Sequence, residues 1–340
     1  MKIAIIGCGA IATVRHAPAV AAHPKAELYA VCDPVKENAD ALAAVYGVKA
    51  VYGLTEVLRD EAVDAVIICT PERFHCANVI AALEAGKDVL CEKPLAMDAQ
   101  EGRAILAAWQ KSGRKLMVAF SQRMYAEHRL AKKLLAEGVI GRPIAFRTAL
   151  THQGVEYATI TPPGPDFYDR KLAGIGDVML NVGCHRIDLV PYLFGSPIKA
   201  VSARTPTIDK TYADGSPIKA ADHAMMTVEL KNGLTGTIWI SWCAYGAPER
   251  ETLVYGTKGS MCIYEAPGIV VRKRDGEIQA YEVAPNPTEG RLITDNFIDM
   301  LNGESGAACD GYDGQACLLA MEAVKRSDRE GRWTAVEAAN

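Results

Sequence analysis

The chain opens on KIAIIGCGAIA, residues 2–12, in which a short apolar run leads directly into a G-x-G-x-x-A pattern. The apolar run predicts a buried strand, and Gly7 permits the tight turn that must follow it. Gly9 lets the backbone approach a pyrophosphate, and Ala12 lets the next helix pack closely with its first amides, near Ala10 and Ile11, aimed at the phosphates. The stretch therefore predicts the start of a dinucleotide-binding domain.

An acidic residue lies at the end of the second predicted strand. Asp33 follows Gly9 by 24 residues, a spacing that suits a carboxylate accepting the adenosine ribose hydroxyls. A carboxylate repels a 2′-phosphate and Pro34-Val35 offers no neutralising arginine, so NAD is favoured over NADP; Lys36 is either a solvated helix-start lysine or a phosphate contact. The alternative to the whole pattern is a generic turn followed by a surface aspartate.

Strand-like and helix-like segments alternate through residues 1–120. The predicted strands are Lys2–Ile6, Glu27–Cys32, Asp64–Cys69, Asp88–Cys91 and Lys115–Phe120. Such short apolar runs separated by helices predict an α/β domain of the Rossmann type, with a doubly wound parallel sheet. Residues 121–340 instead carry closely spaced strand candidates with few helices, and they predict an α/β domain with an open, mainly antiparallel sheet.

Composition narrows the class of protein. The 340 residues carry 37 Lys and Arg against 41 Asp and Glu, a net charge of −4, and no basic stripe, so nucleic acid is not an expected partner. The apolar runs are too short for a membrane span or a signal peptide, and we expect a cytoplasmic protein. The ten cysteines include no C-x-x-C pair, so no metal site is expected. Several adjoin predicted site residues, and we expect NAD to protect them from oxidation.

Two further motifs lie at predicted strand ends, on the edge where such sheets bind ligands. Thr70-Pro71, with His75 after it, follows the third predicted strand, although the pair could simply end that strand. Glu92-Lys93-Pro94 follows the fourth. Lysine is rarely buried unless paired, so a lysine between a carboxylate and a proline favours a functional site over the alternative of a surface turn.

A polar constellation lies in the segment 174–188. Read as a helix, Asn181 and His185 are four residues apart and His185 and Asp188 three apart, so all three share one face. Gly183 inside that helix costs about 1 kcal/mol relative to alanine, which is tolerable if another group approaches closely there. The alternative is a core helix whose histidine is satisfied by Asp188.

Together these pieces resemble the glucose–fructose oxidoreductase / inositol dehydrogenase (Gfo/Idh/MocA) family. The matching motifs are the G-x-G-x-x-A turn, Thr70-Pro71, Glu92-Lys93-Pro94 and Gly183-x-His185-x-x-Asp188. The resemblance implies a Rossmann domain followed by an α/β domain whose open sheet makes a dimer or tetramer contact. It also implies an NAD-dependent dehydrogenase that transfers a hydride between nicotinamide and a hydroxyl or ketone of a sugar, cyclitol or glycoside.

One position departs from the family pattern. Family members usually carry aspartate four residues before the histidine, where this chain has Asn181. An amide can orient a ligand but cannot raise the basicity of the imidazole by charge. Either His185 works unaided, or Lys93 handles more of the proton transfer, or the substrate differs or the chemistry is weaker. Asn181 also motivates the alternative of a non-catalytic dinucleotide-binding regulator. A ketone reductase and a redox-neutral enzyme that recycles its NAD stay open as further alternatives.

The motifs and the resemblance together define a set of predicted site residues. We expect His185 to be the general acid/base, Lys93 to bind and polarise the substrate oxygen, and Asn181 to position the substrate. The predicted cofactor contacts are Gly7, Gly9, Ala10, Ile11, Asp33, Thr70, Pro71, His75, Glu92, Lys93 and Gln122. The further substrate candidates are Arg123, His152, Tyr157 and Tyr168.

Overall fold

A computed structural model describes residues 1–157, 177–212, 214–284, 286 and 288–338. Within these residues the strands are β1 (Lys2–Ile6), β2 (Glu27–Cys32), β3 (Lys49–Val51), β4 (Ala65–Ile68), β5 (Asp88–Cys91), β6 (Leu116–Val118), β7 (Pro143–Thr151), β8 (Ile198–Arg204), β9 (His223–Leu230), β10 (Thr235–Ser241), β11 (Thr252–Gly256), β12 (Gly259–Glu265), β13 (Gly268–Lys273), β14 (Ile278–Glu282) and β15 (Thr334–Ala335).

The helices vary in length from six to twenty residues. They are α1 (Ala17–Ala22), α2 (Lys36–Tyr46), α3 (Leu54–Arg59), α4 (His75–Glu84), α5 (Ala99–Ser112), α6 (Ala126–Ala136), α7 (Cys184–Phe194), α8 (Leu292–Leu301) and α9 (Gly311–Glu330). Helix α5 begins with an N-terminal cap, in which the Asp98 carboxylate accepts the amide hydrogen of Glu101 at 2.9 Å. In the described part of the chain, no helix has the length and apolar character needed to cross a membrane.

The first compact unit comprises Met1–Ser121 and Thr288–Leu318. Its six-stranded sheet has the order β3-β2-β1-β4-β5-β6, and every neighbouring pair is parallel. The strand order reverses between β1 and β4, and ligands of doubly wound sheets bind at this kind of reversal. The predicted Rossmann architecture is confirmed, with β3 as a strand that the sequence analysis missed.

The structure differs from the predicted domain boundary in one respect. Residues 288–318 return to the first unit, whereas the sequence analysis assigned everything after residue 120 to the second domain. The reason is packing, because Phe297 and Ile298 of α8 are fully buried. Lys115 also donates from Nζ to the carbonyl oxygen of Met300 at 2.6 Å.

The second compact unit comprises Gln122–Pro287 and Leu319–Asn340. Its nine-stranded sheet has the order β14-β13-β12-β11-β7-β10-β9-β8-β15. The neighbouring pairs are antiparallel except for β7 and β10, which are parallel. The predicted open, mainly antiparallel sheet is therefore confirmed.

The two faces of this sheet differ in exposure. On β10, Ile238 and Ile240 are buried, while Thr237 before them is exposed and Trp239 between them is half-buried. On β9, Met226 is buried and Met225 is 57% exposed. One face thus packs against the core of the second unit and the other retains apolar side chains on its surface.

Candidate functional site

The glycine turn after β1 lies at the reversal of strand order. Gly7 has φ +94°, and a Cβ there would lie 2.7 Å from the carbonyl carbon of Cys69, in the loop after β4. Only glycine tolerates both the positive φ and this backbone approach. A Cβ on Gly9 would meet no atom within 4 Å, and Gly9 and Ala10 are exposed. Open space thus lies over a turn whose following backbone, from Ala10 and Ile11 onward, is helical, as pyrophosphate binding requires.

Asp33 joins β2 to this turn. One carboxylate oxygen accepts the amide hydrogen of Cys8 at 2.9 Å, and the other accepts that of Val35 at 2.9 Å. A carboxylate offers about four lone-pair positions, so Asp33 can shape the turn and still accept a ribose hydroxyl. Its backbone role was not apparent from the sequence.

The loop after β4 is held by a buried histidine. His75 Nε2 lies 2.8 Å from the carbonyl oxygen of Thr70, and Nδ1 lies 2.7 Å from that of Pro94. Burial lowers the pKa of His75, and the two carbonyl oxygens oppose that effect only in part. His75 is predicted to contact the cofactor, but in the structure its ring nitrogens face the backbone of the Thr70-Pro71 and Glu92-Lys93-Pro94 loops. We therefore assign His75 to holding these loops.

Glu92 is also turned toward the protein. Its Oε1 accepts hydrogen bonds from Arg15 Nη1 and His16 Nε2, both at 3.0 Å, and its Oε2 accepts the amide hydrogen of Lys93 at 3.0 Å. Burial alone raises the pKa of Glu92, but the His16 hydrogen bond and the Arg15 charge outweigh it and hold that pKa below its ordinary value. The predicted cofactor contact is thus an ionised carboxylate that fixes the Lys93 loop.

Lys93 follows this carboxylate and precedes a cis peptide bond to Pro94. Its side chain is half-buried. A second acidic residue, Glu72, is 8% exposed, and burial raises its pKa, which the charge of Lys93 lowers only in part. Nothing in the local sequence around Glu72 indicates that its carboxylate is buried.

The second unit contributes a helix with a polar stripe. A π-helical turn, Met179–Gly183, runs directly into α7, so the predicted helix is present with a wider first turn. From Val178 to Val190 the residues are buried except for Asn181 and His185. Asp177 caps the start by accepting the amide hydrogens of Met179 and Leu180, both at 3.1 Å.

Asp188 pairs with Arg123, which lies in the short helical turn Ser121–Met124 after β6. Arg123 Nε lies 2.9 and 3.1 Å from the two oxygens of Asp188, and Nη2 lies 2.5 Å from Oδ1. Both side chains are nearly buried, and a fork-shaped contact of this kind is strong and directional. Asp188 therefore holds Arg123, a predicted substrate contact, in place.

Gln122 belongs to a second buried cluster that the sequence analysis missed. Arg186 donates to Gln122 Oε1 at 3.2 Å and to the carbonyl oxygens of Ala149 and Arg250 at 3.0 and 2.6 Å. Burial lowers the pKa of Arg186 to about 10. The amide of Gln122, predicted to contact the cofactor, is oriented by this guanidinium.

The remaining substrate candidates lie at the end of β7 and beyond it. His152 is half-buried, its Nδ1 accepts the amide hydrogen of Gly154 at 3.1 Å, and burial lowers its pKa. The neutral ring therefore carries its proton on Nε2. Tyr168 and the side chain of Tyr157 lie outside the described residues.

The cysteines near the glycine turn are buried thiols. Burial raises the pKa of Cys8 to about 12 and that of Cys32 to about 11. Because the thiolate is the reactive form, these shifts disfavour reaction of the two thiols, and their sensitivity to oxidation stays a prediction. They fill space beneath the turn.

Known protein families match both parts of the chain. Residues 1–120 match the model of an oxidoreductase family with an NAD-binding Rossmann fold, and residues 128–262 match the GFO/IDH/MocA C-terminal domain.

In the described residues, no group of three or more His, Cys, Asp or Glu side chains could hold a metal ion.

Individual relatives extend this similarity to the full chain. Inositol 2-dehydrogenase 4 of Saccharopolyspora erythraea is 30% identical over 99% of this chain and 96% of its own length. D-glucoside 3-dehydrogenase of Escherichia coli is 27% identical over 97% and 96%. The crystal structure of aldose-aldose oxidoreductase from Caulobacter crescentus, complexed with glycerol, matches with a TM-score of 0.83, 26% identity and coverage of 98% and 99%.

Proposed function

The chain belongs to the GFO/IDH/MocA oxidoreductase family, and from this membership we propose that it transfers a hydride between NAD and a ring hydroxyl of a sugar or cyclitol. The observation that carries the proposal is the position of Lys93. It follows β5, on the sheet edge where the Gly7 turn follows β1 and Thr70 follows β4. Reactive groups and cofactors of doubly wound folds meet at this edge.

The residues of the first unit fit a dinucleotide. The exposed backbone at Gly9 and Ala10 would receive the pyrophosphate, and Asp33 would accept the ribose hydroxyls. NAD, when bound, supplies the nicotinamide ring that takes up or releases the hydride. NAD is favoured over NADP because Asp33 would repel a 2′-phosphate.

The protein handles the proton and the oxygen charge. When a secondary alcohol is oxidised, the carbon loses a hydride and the oxygen loses a proton. We assign His185 the role of general base that takes the proton. The role assigned to the Lys93 ammonium is to donate a hydrogen bond to the substrate oxygen and stabilise its developing negative charge. In reduction, His185 returns the proton as general acid.

Neutral and positively charged groups orient the substrate. Asn181 lies one helical turn before His185 on the half-buried stripe and can accept from, and donate to, a hydroxyl. Arg123, fixed by Asp188, and His152, with its proton on Nε2, supply further donors for hydroxyl oxygens. A polyhydroxylated substrate needs donors and acceptors of this kind.

Two broader properties follow from the structure of each unit. One face of the nine-stranded sheet bears Met225 and Tyr255, and both apolar side chains are exposed within the described residues. This face supports a homodimer or homotetramer. All ten cysteines are free thiols, which supports a reducing compartment such as the cytoplasm.

Replacing the lysine tests the function. Lys93→Ala should lower kcat by about 10³-fold, because it removes the oxyanion donor, and should change the Kd for NAD by less than about threefold. We would measure NADH absorbance with a panel of cyclitols, aldoses and glycosides. Lys111→Ala, an exposed lysine at the end of α5, is the matched control and should behave like the wild type.

The outcomes separate the alternatives. Near-normal turnover of Lys93→Ala across the panel would overturn the mechanism. Product formation by the wild type without accumulation of NADH would indicate recycling of the bound cofactor, and NAD binding without any product would indicate a regulator.

A further inference from the structure

A line of buried groups connects α8 to the backbone of Lys93 within the first unit. Thr294 Oγ1 lies 2.8 Å from His16 Nδ1, and His16 Nε2 lies 3.0 Å from Glu92 Oε1. Glu92 Oε2 then accepts the amide hydrogen of Lys93 at 3.0 Å. His16 and Thr294 have no exposed surface and Glu92 is 5% exposed, so water does not compete for these bonds.

The chemistry of the partners sets the direction of each hydrogen bond. An ionised carboxylate only accepts, so His16 must donate from Nε2 to Glu92. A hydroxyl can donate, so Thr294 can give its hydrogen to Nδ1 and a neutral His16 satisfies both contacts. The Glu92 carboxylate thereby selects the tautomer, and Thr294 supplies the donor that satisfies the other ring nitrogen.

The Lys93 loop is also held on its other flank. His75 Nδ1 lies 2.7 Å from the carbonyl oxygen of Pro94. The residues before and after Lys93 are thus each in contact with a buried histidine, and neither histidine occurs on the loop itself. A rotation of Glu92 would break its bonds to Arg15, His16 and the Lys93 amide together.

Loss of His16 would have a specific consequence. Glu92 would remain a buried anion with one donor fewer, and such an anion is costly unless it finds a new partner. The charge of Lys93 already acts on Glu92, so the carboxylate would turn toward that ammonium. Lys93 would then be drawn away from the substrate oxygen.

From this geometry we propose that His16 is a positioning residue for Lys93, acting through the carboxylate of Glu92. The inference rests on the function proposed above for Lys93. The segment 288–318 takes part because it supplies Thr294 to the first unit.

Two amide substitutions separate the two ring nitrogens of His16. His16→Gln places an amide nitrogen near the position of Nε2 and keeps the contact with Glu92, whereas His16→Asn keeps only the contact with Thr294. We expect kcat to fall less than about threefold for Gln and about 10²-fold for Asn, the penalty typical of a misplaced catalytic group. The Kd for NAD should change less than about threefold in both, and a role in packing alone would affect both variants alike.

A readout independent of turnover is the hydrogen exchange of the Lys93 amide. Exchange should accelerate in His16→Asn and stay slow in His16→Gln. If both variants exchange and turn over alike, the proposal is wrong. If exchange differs as expected while Lys93→Ala retains turnover, the proposed function fails and the structural link stands.

A milder variant decides the matter if both His16 variants fail to fold. Thr294→Val removes the hydroxyl and keeps the shape of the side chain. It should lower kcat by about threefold to tenfold and accelerate exchange of the Lys93 amide, because the buried Nδ1 loses its donor and the His16 ring is held less firmly against Glu92. Unchanged kcat and exchange in Thr294→Val would overturn the proposal.

Discussion

Two buried glutamates of the first unit differ in what surrounds them. Glu92, after β5, receives hydrogen bonds from His16, Arg15 and a backbone amide, and its pKa is held low. Glu72, after β4, is buried too, but the interactions that favour its charged form do not outweigh the cost of burial, and its pKa is raised. One ionised carboxylate therefore stabilises the fold near neutral pH, whereas the other costs stability when it ionises.

Substituting each glutamate with glutamine tests this contrast. Glu92→Gln should lower the free energy of unfolding at pH 7 by about 3 kcal/mol, because it leaves the partly buried Arg15 without its anion. Since the folded-state pKa of Glu92 is lowered, its contribution is present above the unfolded value of about 4.3 and is lost as the pH falls below it. Most of the destabilisation should therefore persist at pH 4, because the contribution is fully lost only below the lowered folded-state pKa.

Glu72→Gln is the matched control. The folded-state pKa of Glu72 is raised, so removing its charge at pH 7 should leave stability within about 1 kcal/mol of the wild type, or increase it. Urea unfolding of both variants at pH 7 and pH 4 is the measurement. Equal destabilisation by the two substitutions would contradict the assigned environments.

At the scale of single residues, local rules predicted only part of the site. Gly7 and the Asp98 cap could be read from the sequence, because each depends on neighbours within a few positions or on φ alone. The partners of His75 and Glu92 could not, because His75 bonds to Pro94, 19 residues away, and Glu92 to His16, 76 residues away. Contacts at that separation depend on the completed sheet.

At the scale of elements, the polar stripe of the helix around His185 was predictable. Spacing alone put Asn181 and His185 on one face, and the exposure pattern agrees. The π-helical turn was not predictable, since it depends on how Met179 and Gly183 pack. A Cβ on Gly183 would lie 2.8 Å from the sulfur of Met179, so a larger residue at position 183 would displace the Met179 side chain.

This stripe predicts the effect of a substitution at Asn181. Asn181→Asp would place a carboxylate one helical turn from His185 and raise the pKa of that imidazole. The acid limb of the kcat/KM profile should then move to higher pH, and the alkaline plateau should rise because the base is stronger. Asn181→Ala, which adds no charge, is the control for the shift. If the acid limb of the kcat/KM profile lies at the same pH in Asn181→Asp and in the wild type, the side chain at position 181 does not act on the pKa of His185.

At the scale of the whole molecule, alternation of short strands and helices was sufficient to predict a parallel sheet followed by a mostly antiparallel one. The order of motifs along the chain carried that information. The return of residues 288–318 to the first unit was not predictable, because α8 has the same amphipathic pattern whichever core it covers. Packing partners are not encoded in periodicity.

The sheet face that bears Met225 and Tyr255 yields the prediction on assembly. Met225 is 57% exposed on β9 and lies opposite Trp239 of β10. Met225→Glu would place a charge within an apolar contact and should convert the oligomer to monomers. Val45→Glu, on α2, changes a side chain that is 71% exposed and is the control.

Sedimentation velocity or light scattering measures the result. The proposal requires a larger species for the wild type and Val45→Glu, and a smaller one for Met225→Glu. A wild-type monomer, or a Met225→Glu variant of unchanged mass, would be evidence against this face.

The return of residues 288–318 also matters for synthesis on the ribosome. A domain at the start of a chain ordinarily folds while the rest is translated, at about 5–20 residues per second. Here the nascent first unit lacks α8 and Thr294 until residues 122–287 of the second unit have been translated, a delay on the order of ten seconds. Through that interval His16 and the apolar side of α1 are without their cover. The six-stranded sheet is therefore translated well before the helix that completes its unit, and apolar surface of the first unit stays exposed during that delay.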